Sequence, residues 1–239
     1  MANIRPLMGA LLALVLIAAP AAGFPVPERL VYEVTWSGIK AGLAVLEVTR
    51  QGEELRLTNT IRSTGVVAAF FKIDDRTESV ITRAGKPAYY QEHKREGSYR
   101  AAREATFNFT TLKANSLDLL KKIEKTDAIT PSTYDSLSSI YFIRSSELTP
   151  GQSISFDIYD TQRLWNTEVR VVQRQEIKTP LGKFKTVMVT SRLRHKGEVA
   201  KVGNATFWFT DDDRRVPVRI TTTMKVGEVT LTLSGGLSP

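Results

Sequence analysis

From Leu30 onward the apolar residues of this chain recur with a period of two, and that rhythm limits the fold more than any bulk property does. Leu30, Tyr32, Val34 and Trp36 alternate with Val31, Glu33, Thr35 and Ser37. Successive strand side chains point to opposite faces, so the alternation predicts a strand with one largely apolar face. Gly38-Ile39-Lys40-Ala41-Gly42 then offers a turn or bulge before a second strand over residues 43–50. Gln51-Gly52-Glu53-Glu54 closes a hairpin, and Leu55, Leu57, Asn59 and Ile61 mark the returning strand. Further strands are predicted over residues 72–83, 88–94 and 98–110, with turns at Ala84-Gly85-Lys86-Pro87 and Arg95-Glu96-Gly97. Residues 117–125 fit either a twisted strand or a short helix.

The rhythm changes once. After Thr130-Pro131-Ser132-Thr133, the residues Leu137, Ile140, Tyr141 and Ile143 follow at three- and four-residue spacing. That spacing predicts a helix with one apolar face, capped by Asp135 or Ser132, packed on the sheet and stopped by Leu148-Thr149-Pro150-Gly151. Strands resume over residues 153–159, 165–175, 184–194, 205–210, 216–222 and 229–233. At least ten strands with one principal helix predict an all-β or β-dominated fold built on a large antiparallel curved sheet. Its apolar face must be buried by closing into a barrel, by pairing as a sandwich, or by wrapping the helix, and alternation leaves all three open. An outer-membrane barrel is disfavoured, because the strands carry many outward charges and lack repeated apolar rows with aromatic belts. Glycine and proline gather at strand junctions, which predicts a single domain over residues 24–239 with no linker.

The first residues read as an address. Arg5 precedes an uncharged run from Pro6 to Gly23 that ends in small residues. This is the pattern of a secretory leader cleaved after Ala21, Ala22 or Gly23, and it predicts residues 1–23 as a signal peptide and the periplasm as the destination. The chain has no cysteine, which excludes disulfides, thiol catalysis, cysteine-ligated metals and a lipidated cysteine after the leader. Roughly 216 residues remain after cleavage, enough for a core without covalent support. The net charge of +8 attracts anionic partners at long range. Its basic residues are spread among acids, and export further disfavours nucleic acid.

No reaction is legible in the motifs. The two histidines, His93 and His195, stand far apart and outside any metal-ligand pattern. Asp74 and Asp75 point to opposite faces of a strand and suit a register-setting ion pair better than paired acid–base work. Asp211-Asp212-Asp213 lacks the ligand spacing of a calcium loop, and Arg214-Arg215 offsets its charge. Ser132, Ser136, Ser138 and Ser139 form no nucleophile elbow. No catalytic residue, metal site or cofactor is predicted. The aromatic residues carry the better expectation: Trp36, Phe70, Phe71, Phe107, Phe109, Trp165, Phe207, Trp208 and Phe209 are candidates to line a ligand cavity. Ordinary core packing is the competing use of the same rings.

Four segments, Tyr32-Glu33-Val34-Thr35-Trp36-Ser37-Gly38-Ile39-Lys40-Ala41-Gly42, Tyr134-Asp135-Ser136-Leu137-Ser138-Ser139-Ile140-Tyr141-Phe142-Ile143-Arg144, Thr179-Pro180-Leu181-Gly182-Lys183-Phe184-Lys185 and Asp211-Asp212-Asp213-Arg214-Arg215-Val216-Pro217-Val218-Arg219-Ile220, together resemble the bacterial DUF3108 family of unknown function. The resemblance implies an exported, β-rich envelope protein and no known reaction. A weaker, architectural similarity is to curved-sheet periplasmic lipoprotein carriers. The expected function is non-catalytic binding of a lipid or another amphipathic envelope molecule, with peripheral membrane contact. The alternative is an envelope assembly factor that binds another protein, and a hydrolase ranks below both.

Overall fold

The computed structural model describes residues 24–201, 203–224 and 227–236. The predicted leader, residues 1–23, lies outside them. The elements in chain order are β1 (Glu28–Trp36), β2 (Ile39–Gln51), β3 (Glu54–Ser63), α1 (Gly65–Phe70), β4 (Asp74–Ile81), β5 (Pro87–Glu96), β6 (Tyr99–Asn108), β7 (Lys113–Asp118), β8 (Ile123–Ala128) and β9 (Thr133–Tyr134). There follow α2 (Ser138–Ser145), β10 (Ser153–Tyr159), β11 (Leu164–Thr179), β12 (Gly182–His195), β13 (Glu198–Val199), β14 (Ala205–Thr210), β15 (Pro217–Met224) and β16 (Gly227–Gly235).

The predicted alternation appears directly in β1, where Leu30, Tyr32 and Val34 are buried beside Ala44, Leu46 and Val48 of β2. Ser37 and Gly38 both take positive φ, the backbone of a tight hairpin turn whose twist matches the strands. The register slips between Val34 and Thr35 opposite Gly42. At Gly42 a Cβ would overlap the Arg62 carbonyl, so the bulge admits β3 only because this residue has no side chain. Residues 117–125 are neither continuous strand nor helix. Asp118 Oδ1 accepts from the amides of Leu120 and Lys121, Lys122 takes φ 56°, and the segment becomes the turn between β7 and β8. Asn108 does the same for β6 and β7 through the amides of Thr110 and Thr111, with Leu112 at φ 52°. A short polar side chain bonding to the backbone two and three residues on is what makes each turn. Helix α1 has no counterpart among the predicted elements, because its apolar run has no helical period.

All strands belong to one sheet in the order β8-β7-β6-β5-β4-β3-β2-β1-β16-β15-β14-β12-β11-β10-β9, with β13 on β12. Neighbours are antiparallel except β9 and β10. The chain thus runs outward from β1 to β8, jumps to the far end of the sheet, and returns through β10 to β16, which pairs with β1. Laid flat, the fifteen strands of that path would span about 65–70 Å. Only residues 129–132 separate β8 from β9, and the steps from Ala128 to Thr133 reach at most roughly 18 Å. The sheet must therefore curl until its two ends face each other.

Helix α2 and its approach fill the concave side. Leu137 and Tyr141 join a cluster with Leu30, Tyr32, Leu46 and Leu233, Ile143 joins a second with Phe156, Val169 and Val189, and Ile140 packs against both. Asp135 starts the helix, accepting from the amides of Leu137 and Ser138 at 2.8 Å, while its other carboxylate oxygen accepts from Ser79 of β4 at 2.6 Å. Ser132, the other predicted cap, instead donates its amide to Thr130. At the helix end, Arg144 makes a two-pronged bond to Glu28 of β1 at 2.7 and 2.9 Å, with both side chains buried.

Candidate functional site

The facing ends of the sheet form a seam held by side chains. Among the described residues no backbone ladder joins β8 to β9 or β10. Ala105, Ala114, Ile129 and Tyr159 instead make a small apolar cluster, flanked by Phe107, Phe109, Leu112 and Leu164. The Tyr159 hydroxyl lies 2.6 Å from Asp127 Oδ2 and 3.1 Å from Ser116 Oγ, and Lys125 donates to the Gln162 carbonyl across the same gap at 2.8 Å. Burial and the Asp127 bond push the Tyr159 phenol well above its ordinary value.

Lys86, in the turn between β4 and β5, bridges aromatic groups from both sides of this seam. Its Nζ sits 4.1 Å from the ring centre of Tyr134 on β9 and 5.7 Å from that of Phe109 after β6. It also donates to the Tyr134 hydroxyl at 2.9 Å. Rings attract a cation through the negative charge on their faces, yet no carboxylate pairs with Lys86 among the described residues, and burial lowers its pKa. Burial likewise raises Tyr134 to about 12. Around them Tyr134 and Phe142 stack at 4.4 Å, Phe156 meets both edge-on, and Phe107 stacks with Phe109 at 6.4 Å and meets Tyr159 at 90°. The seam thus combines packed, largely buried aromatic rings with one half-buried lysine that no carboxylate neutralises among the described residues.

The nine aromatic candidates fall in separate places. Phe107 and Phe109 line the seam. Phe207 and Phe209 stack at 5.6 Å inside the second core cluster. Trp208 lies under the Arg219 guanidinium at 5.9 Å, and Trp165 lies beside His195 at 5.5 Å and donates to Asp160. Trp36 ends β1, while Phe70 and Phe71 are exposed at the end of α1. Sequence reasoning missed Lys86, Tyr134, Phe142, Phe156 and Tyr159. The alternation of Phe107 and Phe109 marked their shared face, but nothing local announced that a turn lysine and a strand from the other end of the sheet would meet them.

Among the titratable motifs, His195, Asp74 and Asp212 have structural partners. His195 Nδ1 lies 3.0 Å from the Leu164 carbonyl. Asp74 pairs with its cross-strand neighbour Arg62 at 3.1 Å, and Asp212 accepts from the amides of Arg214 and Arg215 to form a turn. Among the described residues no three histidine, aspartate or glutamate side chains gather as a metal site. Burial pushes Asp135 upward, opposed by its bonds from Ser79, Ser138 and Leu137.

Asp75, on the opposite face from Asp74, is raised to about 6, first by burial and also by Glu96, against the lowering by the Arg95 amide. Its folded value exceeds the unfolded one, so the stability it contributes is complete below about pH 4 and is lost as pH rises through about 6. Asp75→Asn is expected to flatten stability across that window. Denaturant melts at several pH values check this, and an unchanged slope in the variant refutes the assignment.

The family model described as "Protein of unknown function (DUF3108)" matches residues 31–234. No curated protein matches the chain. Among solved structures, a β-barrel-like protein of the domain of unknown function DUF1849 from Brucella abortus is similar over 87% of this chain and 95% of that one, at 14% identity and a TM-score of 0.62. That likeness concerns the fold alone. A candidate exported protein with a YmcC-like fold from Bacteroides fragilis aligns over 90% of this chain and 97% of its own at 8% identity, and a candidate lipoprotein from Parabacteroides distasonis over 89% and 96% at 12%, each with a TM-score of 0.35. Similarities of that size place no constraint on function.

Proposed function

We propose a non-catalytic binding role in the bacterial envelope for this chain, which belongs to the DUF3108 family of proteins of unknown function. The leader directs it to the periplasm, and its ligand is a lipid or another amphipathic molecule with an anionic group. One observation carries the reading: Lys86 is half-buried between rings from the two ends of the sheet without a carboxylate partner among the described residues. The ligand's apolar part lies against Phe107, Phe109 and Tyr159, where the sheet ends meet through side chains and part at lower cost than a hydrogen-bonded ladder. Its anionic group replaces water at Lys86.

Native mass spectrometry of protein released gently from its source is expected to show a lipid-sized adduct at one per chain. Lys86→Glu is expected to weaken binding of an anionic amphiphile about tenfold or more. Ligand-free protein alone, with no binding across a panel of envelope lipids, refutes the reading. A protein partner is the second reading, supported by the position of β8 as a terminal strand paired only with β7 among the described residues. An exposed strand edge recruits another strand by backbone bonding. In-cell crosslinks concentrated on β8 favour it over the lipid.

A further inference from the structure

From β1 to β8 the strands form an uninterrupted meander, so alternate connections share an end of the sheet. One end holds the β1–β2, β3–β4, β5–β6 and β7–β8 connections. At this end Ile39, Val66, Phe70, Tyr99, Leu120 and Ile123 are 63%, 74%, 87%, 48%, 58% and 58% exposed. The connections at the other end of the same strands, residues 52–53, 82–86 and 109–112, expose no large apolar side chain in this way. Helix α1 is the extreme case. Its sequence Gly-Val-Val-Ala-Ala-Phe is apolar throughout and none of its residues is buried. Phe71 anchors it, lying where a Cβ on Gly97 of the next connection would fall 2.6 Å from the ring.

The charges on these tips have one sign. Residues 37–38, 64–73, 97–98 and 119–122 contain Lys72, Lys121 and Lys122 and no acid. Of the acids at the adjoining strand ends, Asp74 pairs with Arg62 and Asp118 lies 3.6 Å from Arg103 and 3.9 Å from Lys121, while Glu96 and Glu124 flank the tips and are balanced in number by Lys40 and Arg100 at the same strand ends. Protruding apolar tips interleaved with lysines match a surface that is anionic on top and apolar beneath. A bilayer leaflet rich in anionic lipid has that order of layers. We propose that this rim docks the protein on an anionic membrane surface, with α1 inserted at the headgroup boundary and Lys72, Lys121 and Lys122 against the phosphates. The site is separate from the Lys86 seam and does not depend on it.

Flotation with phosphatidylglycerol-rich and with phosphatidylcholine-only vesicles tests the proposal. The full protein is expected to float with the anionic vesicles, about tenfold less with the neutral ones, and less as salt rises. Val66→Ser with Phe70→Ser is expected to reduce flotation at least about tenfold while leaving the melting temperature unchanged, since neither side chain is buried. Lys121→Glu with Lys122→Glu is expected to lower it and weaken the salt dependence. Lys86→Glu leaves flotation intact, so failure of the seam reading and failure of this one are distinguishable. Three results overturn the proposal: folded protein that ignores anionic vesicles, flotation unaffected by the Val66 and Phe70 changes, or a concentration-dependent dimer abolished by those changes, which would make the rim a contact between copies.

Discussion

Arg144→Met is expected to destabilise the protein by about 3–5 kcal/mol, because it leaves the Glu28 carboxylate buried without its partner. For a chain of this length that corresponds to a fall in melting temperature of roughly 6–20 °C. Glu28→Leu alone is expected to cost a similar amount for the converse reason. The pair also ties the last turn of α2 to β1, and Arg144 adds a bond to the Arg214 carbonyl at 3.0 Å and lies over the rings of Phe24 and Tyr141. A double change to Glu28→Leu and Arg144→Met should recover most of the loss, since apolar replacements of similar volume leave no buried charge. Thermal melts of the three variants decide the matter. Single variants as stable as the parent would mean that water reaches the pair.

Tyr159→Ala is expected to be comparably damaging, at about 3–5 kcal/mol, through the cavity left in the cluster that joins the sheet ends. Tyr159→Phe keeps the packing and removes only the hydroxyl contacts to Asp127 and Ser116, so about 1–3 kcal/mol is expected. The two variants separate packing from hydrogen bonding at the seam. Amide exchange adds a local readout: in Tyr159→Ala the amides of β8, which has a ladder on one side only, should lose protection before those of β1 and β2, which have ladders on both sides. Uniform loss of protection would show that the seam does not open independently of the sheet.

Much of the sheet was legible because strand identity is local. The burial of Leu30, Tyr32 and Val34 follows from pleat geometry alone, and the helix over Leu137, Ile140, Tyr141 and Ile143 follows from its three- and four-residue spacing. Asp135 bonds the amides of Leu137 and Ser138 in the turn that leads into the helix, while the N-cap position itself falls on Leu137, which makes no side-chain cap bond. Residues 117–125 were ambiguous because Leu117, Leu119, Leu120 and Ile123 satisfy two periods, and the arbiter was a turn-forming bond from Asp118. Helix α1 was illegible for another reason: its residues bury nothing, so no amphipathic pattern marks it.

The candidate site was legible only in fragments. Phe107 and Phe109 stand out by alternation, whereas Lys86 reads as an ordinary turn residue and Tyr134 as part of a helix approach. Their meeting depends on which strand end lies beside which. The amino-acid sequence by itself determined a β-dominated chain with one principal packed helix, since period and turn chemistry act over a few residues. Only the tertiary structure decided that the sheet curls until β8 faces β9 and β10, that Lys86 bridges the two sides, and that the apolar connections gather on one rim. Those are outcomes of chain connectivity and long-range strand order, and a strand's pattern records which face is apolar without recording what that face will meet.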